Sequence, residues 1–182
     1  MNSVLEKLSN GDLRSDGMAN EVALEVLQSP ELLPELILGL DDADPAIRAH
    51  AADALEKVAR EQPDWMIRHL PCLVRKALTD ELPMVRWHMA MIFGCLDPTI
   101  TAINWIVNTL IQMLGDESIF VRSWVISSLC ILGKQVPEKV DDILINLRQM
   151  EKYESPAIRS RIRKGVEYLR RPSAHLPADW SK

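Results

Sequence analysis

The 182-residue chain is 47% hydrophobic and 26% charged, enough for one unit that buries its own core and too little for several independent domains. Good helix formers dominate, glycines and aromatics are few, and no stretch alternates apolar with polar side chains, so strands are excluded and an all-α fold is expected. The net charge of −5 is uneven: residues 1–80 carry 15 acidic and 8 basic side chains, residues 81–182 carry 11 and 13, which makes the chain electrically polar along its length.

The opening residues, Met1 to Glu6, have neither a basic start nor an apolar segment and are not expected to act as a secretory leader. Residues 1–29 are expected to form a degenerate hairpin that caps the amino-terminal end. Its stripe of Ala19, Ala23, Val26 and Leu27 has helical spacing, but Arg14 and Asn20 stand where later units have an aspartate and an arginine.

Four fuller hairpins are expected over 30–63, 64–97, 98–137 and 138–171. The first helix of each carries a stripe: Leu32, Leu36, Leu40; Leu70, Val74, Leu78; Ile106, Leu110, Leu114; and Ile143, Leu147, Met150. A polar turn follows, running from Asp42 to Arg48, Asp80 to Arg86, Asp116 to Arg122 and Tyr153 to Arg159, with the arginines 38, 36 and 37 residues apart. Asp44, Ser118 and Ser155 can cap the second helices, and Pro45, Pro83 and Pro156 fit a first turn where a missing N–H costs nothing. Behind each turn one apolar stripe recurs four times, as in Ile47, Ala51, Leu55, Val58 and again in Val121, Val125, Leu129, Leu132. A hairpin with apolar sides cannot bury them alone, so stacking is required.

On these residues the chain resembles the HEAT-repeat family, whose units carry a proline in the first helix, an aspartate in the turn and an arginine six positions later. Pro34, Asp42 and Arg48 match all three; Asp80 with Arg86 and Asp116 with Arg122 match the last two, and Pro71 lies one place off register. The resemblance spans roughly residues 30–170, and the wording around Ala19–Val22 and Val85–His88 is similar to small bacterial HEAT-repeat proteins. It implies an armadillo-like, right-handed α-α superhelix (a HEAT-like solenoid) of about five helical hairpins. It also implies that Asp42, Arg48, Asp80, Arg86, Asp116 and Arg122 form a structural ladder between repeats. Tyr153 replaces the fourth aspartate, so that ladder is expected to end at the last repeat.

Side chains at equal offsets in the second helices form columns, and functional candidates follow from them. One column is His50, His88, Trp124 and Arg161; another is Asp53, Met91, Ser127 and Lys164. Trp87, His88, Met91, Trp124 and Ser127 lie off the buried stripe and are the candidate partner contacts, because aromatic anchors dominate interface energetics. The competing expectation is that the solenoid itself covers them. His50 and His88 find no third ligand in their column, so no metal or cofactor is expected. Cys72, Cys95 and Cys130 are widely spaced in apolar stretches and suit reduced core thiols.

The last hairpin carries Arg159, Arg161, Arg163 and Lys164 among eight basic side chains against three glutamates, a candidate basic patch for phosphate or an acidic surface. Residues 172–182 are expected to be a flexible tail; the alternatives are that Trp180 docks over the open end of the last repeat or acts as a short linear motif. The longest apolar run, residues 89–96, is too short to span a bilayer. A non-catalytic cytoplasmic scaffold with a protein partner is therefore expected. The alternatives are nucleic-acid binding through the basic hairpin and a homodimer through the apolar face, with little room for a glycosylase-like or lyase-like activity.

Overall fold

The computed structural model describes residues 3–97 and 99–180. The remaining positions, which include the ends of the expected cap and tail and the first residue of the third expected repeat, lie outside the described residues. Among the described residues there is no strand, and no helix is long and apolar enough to cross a membrane. The chain divides into two compact units, up to Leu96 and from Asp97 onward.

The first unit holds α1 (Val4–Leu8), α2 (Ala19–Gln28), α3 (Leu33–Leu38), α4 (Pro45–Glu61), α5 (Asp64–Ile67), α6 (Leu70–Thr79) and α7 (Pro83–Cys95). Ser3 and Glu6 close a reciprocal capping box at the start of α1. Asp44 caps α4, accepting from the Ala46 amide at 2.8 Å, with Pro45 at the first helical position. In the turn before α7, Asp80 Oδ1 accepts from the Leu82 amide at 3.0 Å.

Helix α4 is the axis of this unit. It packs against α2 on one flank and α7 on the other, and Ala49, Ala51, Ala52, Ala54 and Ala59 are all covered. Small side chains all round allow close approach on several sides at once, and Leu55 and Val58 fill the remaining core. Helix α7 adds Met89, Ile92 and Phe93, each fully buried.

The second unit holds α8 (Ile100–Met113), α9 (Ile119–Gln135), α10 (Val140–Glu151) and α11 (Pro156–Arg170), followed by a short 3-10 turn at Ala178–Trp180. Ser118 and Ser155 accept from the amides of Val121 and Ile158, capping α9 and α11. Helix α9 packs against α8, α10 and α11. The apolar residues of α11, Ile158, Ile162 and Leu169, are buried, and Gly133 of α9 leaves room for Leu169, since a Cβ there would stand 2.7 Å from Leu169 Cδ2.

Candidate partner-binding face

The turns between paired helices are clamped by one device. The aspartate accepts from the amide two residues on, at 2.8 Å for Asp42 to Asp44, 3.0 Å for Asp80 to Leu82 and 2.8 Å for Asp116 to Ser118. The arginine six positions later donates back to the carbonyls of the aspartate and its successor: Arg48 to Asp42 and Ala43, Arg86 to Asp80 and Glu81, Arg122 to Asp116 and Glu117. Between hairpins Arg48 Nε lies 3.4 Å from Asp80 Oδ2.

The carboxyl end of this ladder differs from the sequence expectation. Arg122 Nε lies 3.0 Å from Glu154 Oε1, so an acid does face it despite Tyr153 in the aspartate position. A glutamate one residue later, with one more methylene, reaches the same guanidinium. Tyr153 is exposed instead.

In the first unit, α4 and α7 bring Asp53, Glu56 and His88 together, with one ligand atom of each within 4.8 Å of the others. Glu56 and His88 are buried. The types suit a divalent cation, but both carboxylates are already matched from their own helix: Lys57 Nζ is 2.5 Å from Asp53 Oδ1 and Arg60 Nη2 is 2.5 Å from Glu56 Oε1. A cation would have to displace the Lys57 ammonium and the Arg60 guanidinium already in place. His50 joins no cluster with His88. It is buried, with Nδ1 2.7 Å from the Leu8 carbonyl and Nε2 3.2 and 3.1 Å from those of Asp12 and Ser15, and so ties the amino-terminal segment to α4.

The candidate partner contacts separate by exposure. Trp87 and Trp124 are half-buried, whereas His88 is 4%, Met91 6% and Ser127 0% exposed. These three are thus not surface contacts. The second helices stack closely enough within each unit to enclose positions that a single-helix wheel places off the apolar stripe.

In the second unit the columns meet as the sequence spacing implies. Arg161 Nε donates to Ser127 Oγ at 3.0 Å, and its guanidinium carbon lies 5.2 Å from the Trp124 ring centroid. The same group also lies 5.5 Å from the Trp180 ring centroid. Trp180 is 3% exposed and meets Tyr168 edge-on, centroids 6.1 Å apart at 70°. Asp179 completes the contact, with Lys164 Nζ 3.3 Å from Oδ1 and Arg161 Nη1 3.7 Å from Oδ2. The described part of the tail is therefore seated at its tip, because the chain turns back at Arg171, whose carbonyl accepts from Lys134 Nζ at 2.6 Å.

The expected basic patch is split over two sides of α11. Arg161 and Lys164 face the tail. Arg163 lies with Arg148, Arg170 and Arg171 around a shallow groove of about 430 Å³, where Glu151 pairs with Arg163 at 3.0 Å and Glu167 with Arg171 at 2.7 Å. Arg159 is half-buried. Helical spacing explains the split: 159 and 163 share one side, 161, 165 and 168 another.

Burial pushes the Cys95 thiol up to about 11, with the Glu56 carboxylate adding to it, and pushes Cys130 up to about 12. Neither supplies a thiolate near neutral pH. Sequence reasoning missed Glu56, Asp179, Gly165 and Tyr168. The spacing of Arg161, Gly165 and Tyr168 was the available signal for the last two. It also missed Ile119 and Phe120, exposed at the start of α9.

Paired helices clamped by an Asp-to-Arg turn and stacked through their second members define an α-solenoid, the helical-repeat fold shared by HEAT-like and armadillo proteins. Among solved structures the chain is similar to one from the complex of CpcE and CpcF of phycocyanin lyase from Nostoc sp. PCC7120, at TM-score 0.72 and 23% identity, over 89% of this chain and 95% of that one. It is also similar to a computationally designed armadillo repeat protein for modular peptide recognition, at TM-score 0.67 and 16% identity over 91% and 80%. A designed armadillo repeat protein in complex with the peptide (KR)4 follows, at TM-score 0.62 and 17% identity over the same shares, 91% and 80%. No protein-family model and no curated protein sequence matches the chain. At these identities the likeness concerns the fold.

Proposed function

We propose that this chain is a non-catalytic scaffold that takes up segments of partner proteins on the face lined by its second helices. The repeat boundaries at 30, 64, 98 and 138 and the ladder from Asp42 to Arg122 belong to the same reading, as the frame that presents this face. One observation carries it: in the second unit the indole of Trp180, from the short turn Ala178–Trp180, is seated against Arg161 of α11, where no further α-helix lies among the described residues. The fold likeness to designed armadillo proteins for peptide recognition and to a chain of a two-protein complex supports the same reading. The cytosol is the compartment that suits three free thiols.

Affinity capture with the wild-type chain and with the Trp87→Ala/Trp124→Ala double variant tests it. Loss of specific partners from the variant is the expected outcome. Equal recovery of every protein by both would sink the proposal.

The arginine-lined groove beside α10 and α11 favours one further reading, an anion such as nucleic-acid phosphate. It is the weaker of the two, since Glu151 and Glu167 already occupy two of its arginines. A homodimer through exposed apolar residues is the remaining alternative, and light scattering at high concentration decides it.

A further inference from the structure

The seat of Trp180 lies on a side of α11 that presents a guanidinium, an ammonium and a phenol ring beside the packed contact with α9. Ile158, Ile162 and Leu169 are already buried in a helix packed against α9 and α10. Arg161, Lys164, Gly165 and Tyr168 line the side on which the indole lies, with Gly165 also packed against Cys130 of α9.

The walls of the seat come from α9 and α11. Trp124 and Ser127 hold the Arg161 guanidinium from the α9 side, and a flat cation so held presents its free face to an aromatic ring. Gly165 opens the floor: a Cβ there would stand 2.6 Å from Cys130 Sγ and 3.3 Å from Trp180 Cη2. Lys164 waits at the rim for a carboxylate, and Asp179 supplies it.

The occupant enters the seat by one side chain. Of the described residues after Arg171, Trp180 alone is buried, while Ser173, His175, Leu176 and Asp179 are exposed. Arg161 Nη2 is buried with no acceptor among the described residues, so the chain's own segment does not use every donor the seat offers.

We infer that this seat reads protein segments in which an acidic residue precedes an aromatic one, and that residues 177–180 fill it as a displaceable ligand belonging to the chain itself. The inference rests on the proposed binding role of the second-helix face and names the chemistry that face selects. A tethered ligand competes at high effective concentration, so a partner's apparent affinity is reduced by the fraction of time the seat is open.

The test is fluorescence anisotropy with a labelled synthetic peptide of residues 172–182, titrated into full-length wild-type chain and full-length Trp180→Ala. The opened chain is expected to bind at least ~10-fold more tightly than wild type. That binding is lost when the peptide itself carries Trp180→Ala and weakened by Lys164→Glu in the chain. Asp179→Lys opens the seat from its rim without removing the indole, and circular dichroism confirms that both variants fold. It is expected to show an intermediate gain.

Equal binding to wild type and both opened chains, or no binding to either up to millimolar peptide, overturns the inference. Partner capture that depends on Trp87 and Trp124 without peptide binding leaves the scaffold standing and removes this inference. Peptide binding with tryptophan-independent capture does the reverse.

Discussion

Gly17 has two reasons to lack a side chain. Its φ of +54° lies in the left-handed region, and a Cβ would stand 2.7 Å from His50 Nδ1. Gly17→Ala is expected to cost about 1–3 kcal/mol in urea unfolding. His50→Ala removes the contacts to the carbonyls of Leu8, Asp12 and Ser15 and is expected to cost about 1–3 kcal/mol. Because the two changes act on one contact, the double variant should lose less than the sum. Strict additivity would show that the ring does not anchor the amino-terminal segment. In the sequence His50 was legible only as one member of a column. Its partners lie 35 to 42 residues away, and no local periodicity encodes a loop carbonyl returning to a helix.

Between elements, two contacts give opposite kinds of prediction. Gly165 lets α11 approach α9, so Gly165→Ala is expected to lower stability by about 1–3 kcal/mol through overpacking against Cys130 Sγ. Adding Cys130→Ala should restore part of the loss; no recovery would place the strain elsewhere. Asp41, just before the turn, receives the Arg75 fork of α6 at 2.8 and 3.0 Å, with Lys76 also at 3.0 Å. The Arg75 guanidinium first, then Lys76, holds its carboxyl below the ordinary 3.8. A depressed folded value stabilises above pH 3.8 and is lost as pH falls below it through the folded value. Wild type should therefore exceed Asp41→Asn in stability near pH 6 and converge with it in stronger acid. A constant gap from pH 6 down to pH 2 would contradict the pairing.

For the molecule as a whole, the division of basic residues over two sides of α11 separates two binding modes. If nucleic acid binds at low salt, Arg163→Glu is expected to weaken it several-fold and to flatten its salt dependence. Arg161→Glu should leave it nearly unchanged, because that guanidinium is already engaged with the Trp124 and Trp180 rings. Electrophoretic mobility shift over a salt series measures both, and equal sensitivity to the two changes would mean that α11 is read all round.

The sequence by itself determined the helices, their stripes and the polar turns. Each depends on residues within seven positions of one another: Asp42 and Arg48 close their turn by reach alone, and an apolar spacing of three and four defines a face without reference to any partner. The alignment of Trp124 with Arg161 was legible too, since equal offsets in stacked helices become neighbours. Only the tertiary structure decided what those neighbours enclose. His88, Met91 and Ser127 disappear from the surface because interhelical spacing, set by the many alanines of α4 and by Gly165, is a property of packed pairs. Glu154 reaches Arg122 because side-chain length compensates for register. Trp180 returns to α11 because a loop anchored at Arg171 allows it, and the energy of that return lies in contacts 12 to 19 residues away along the chain.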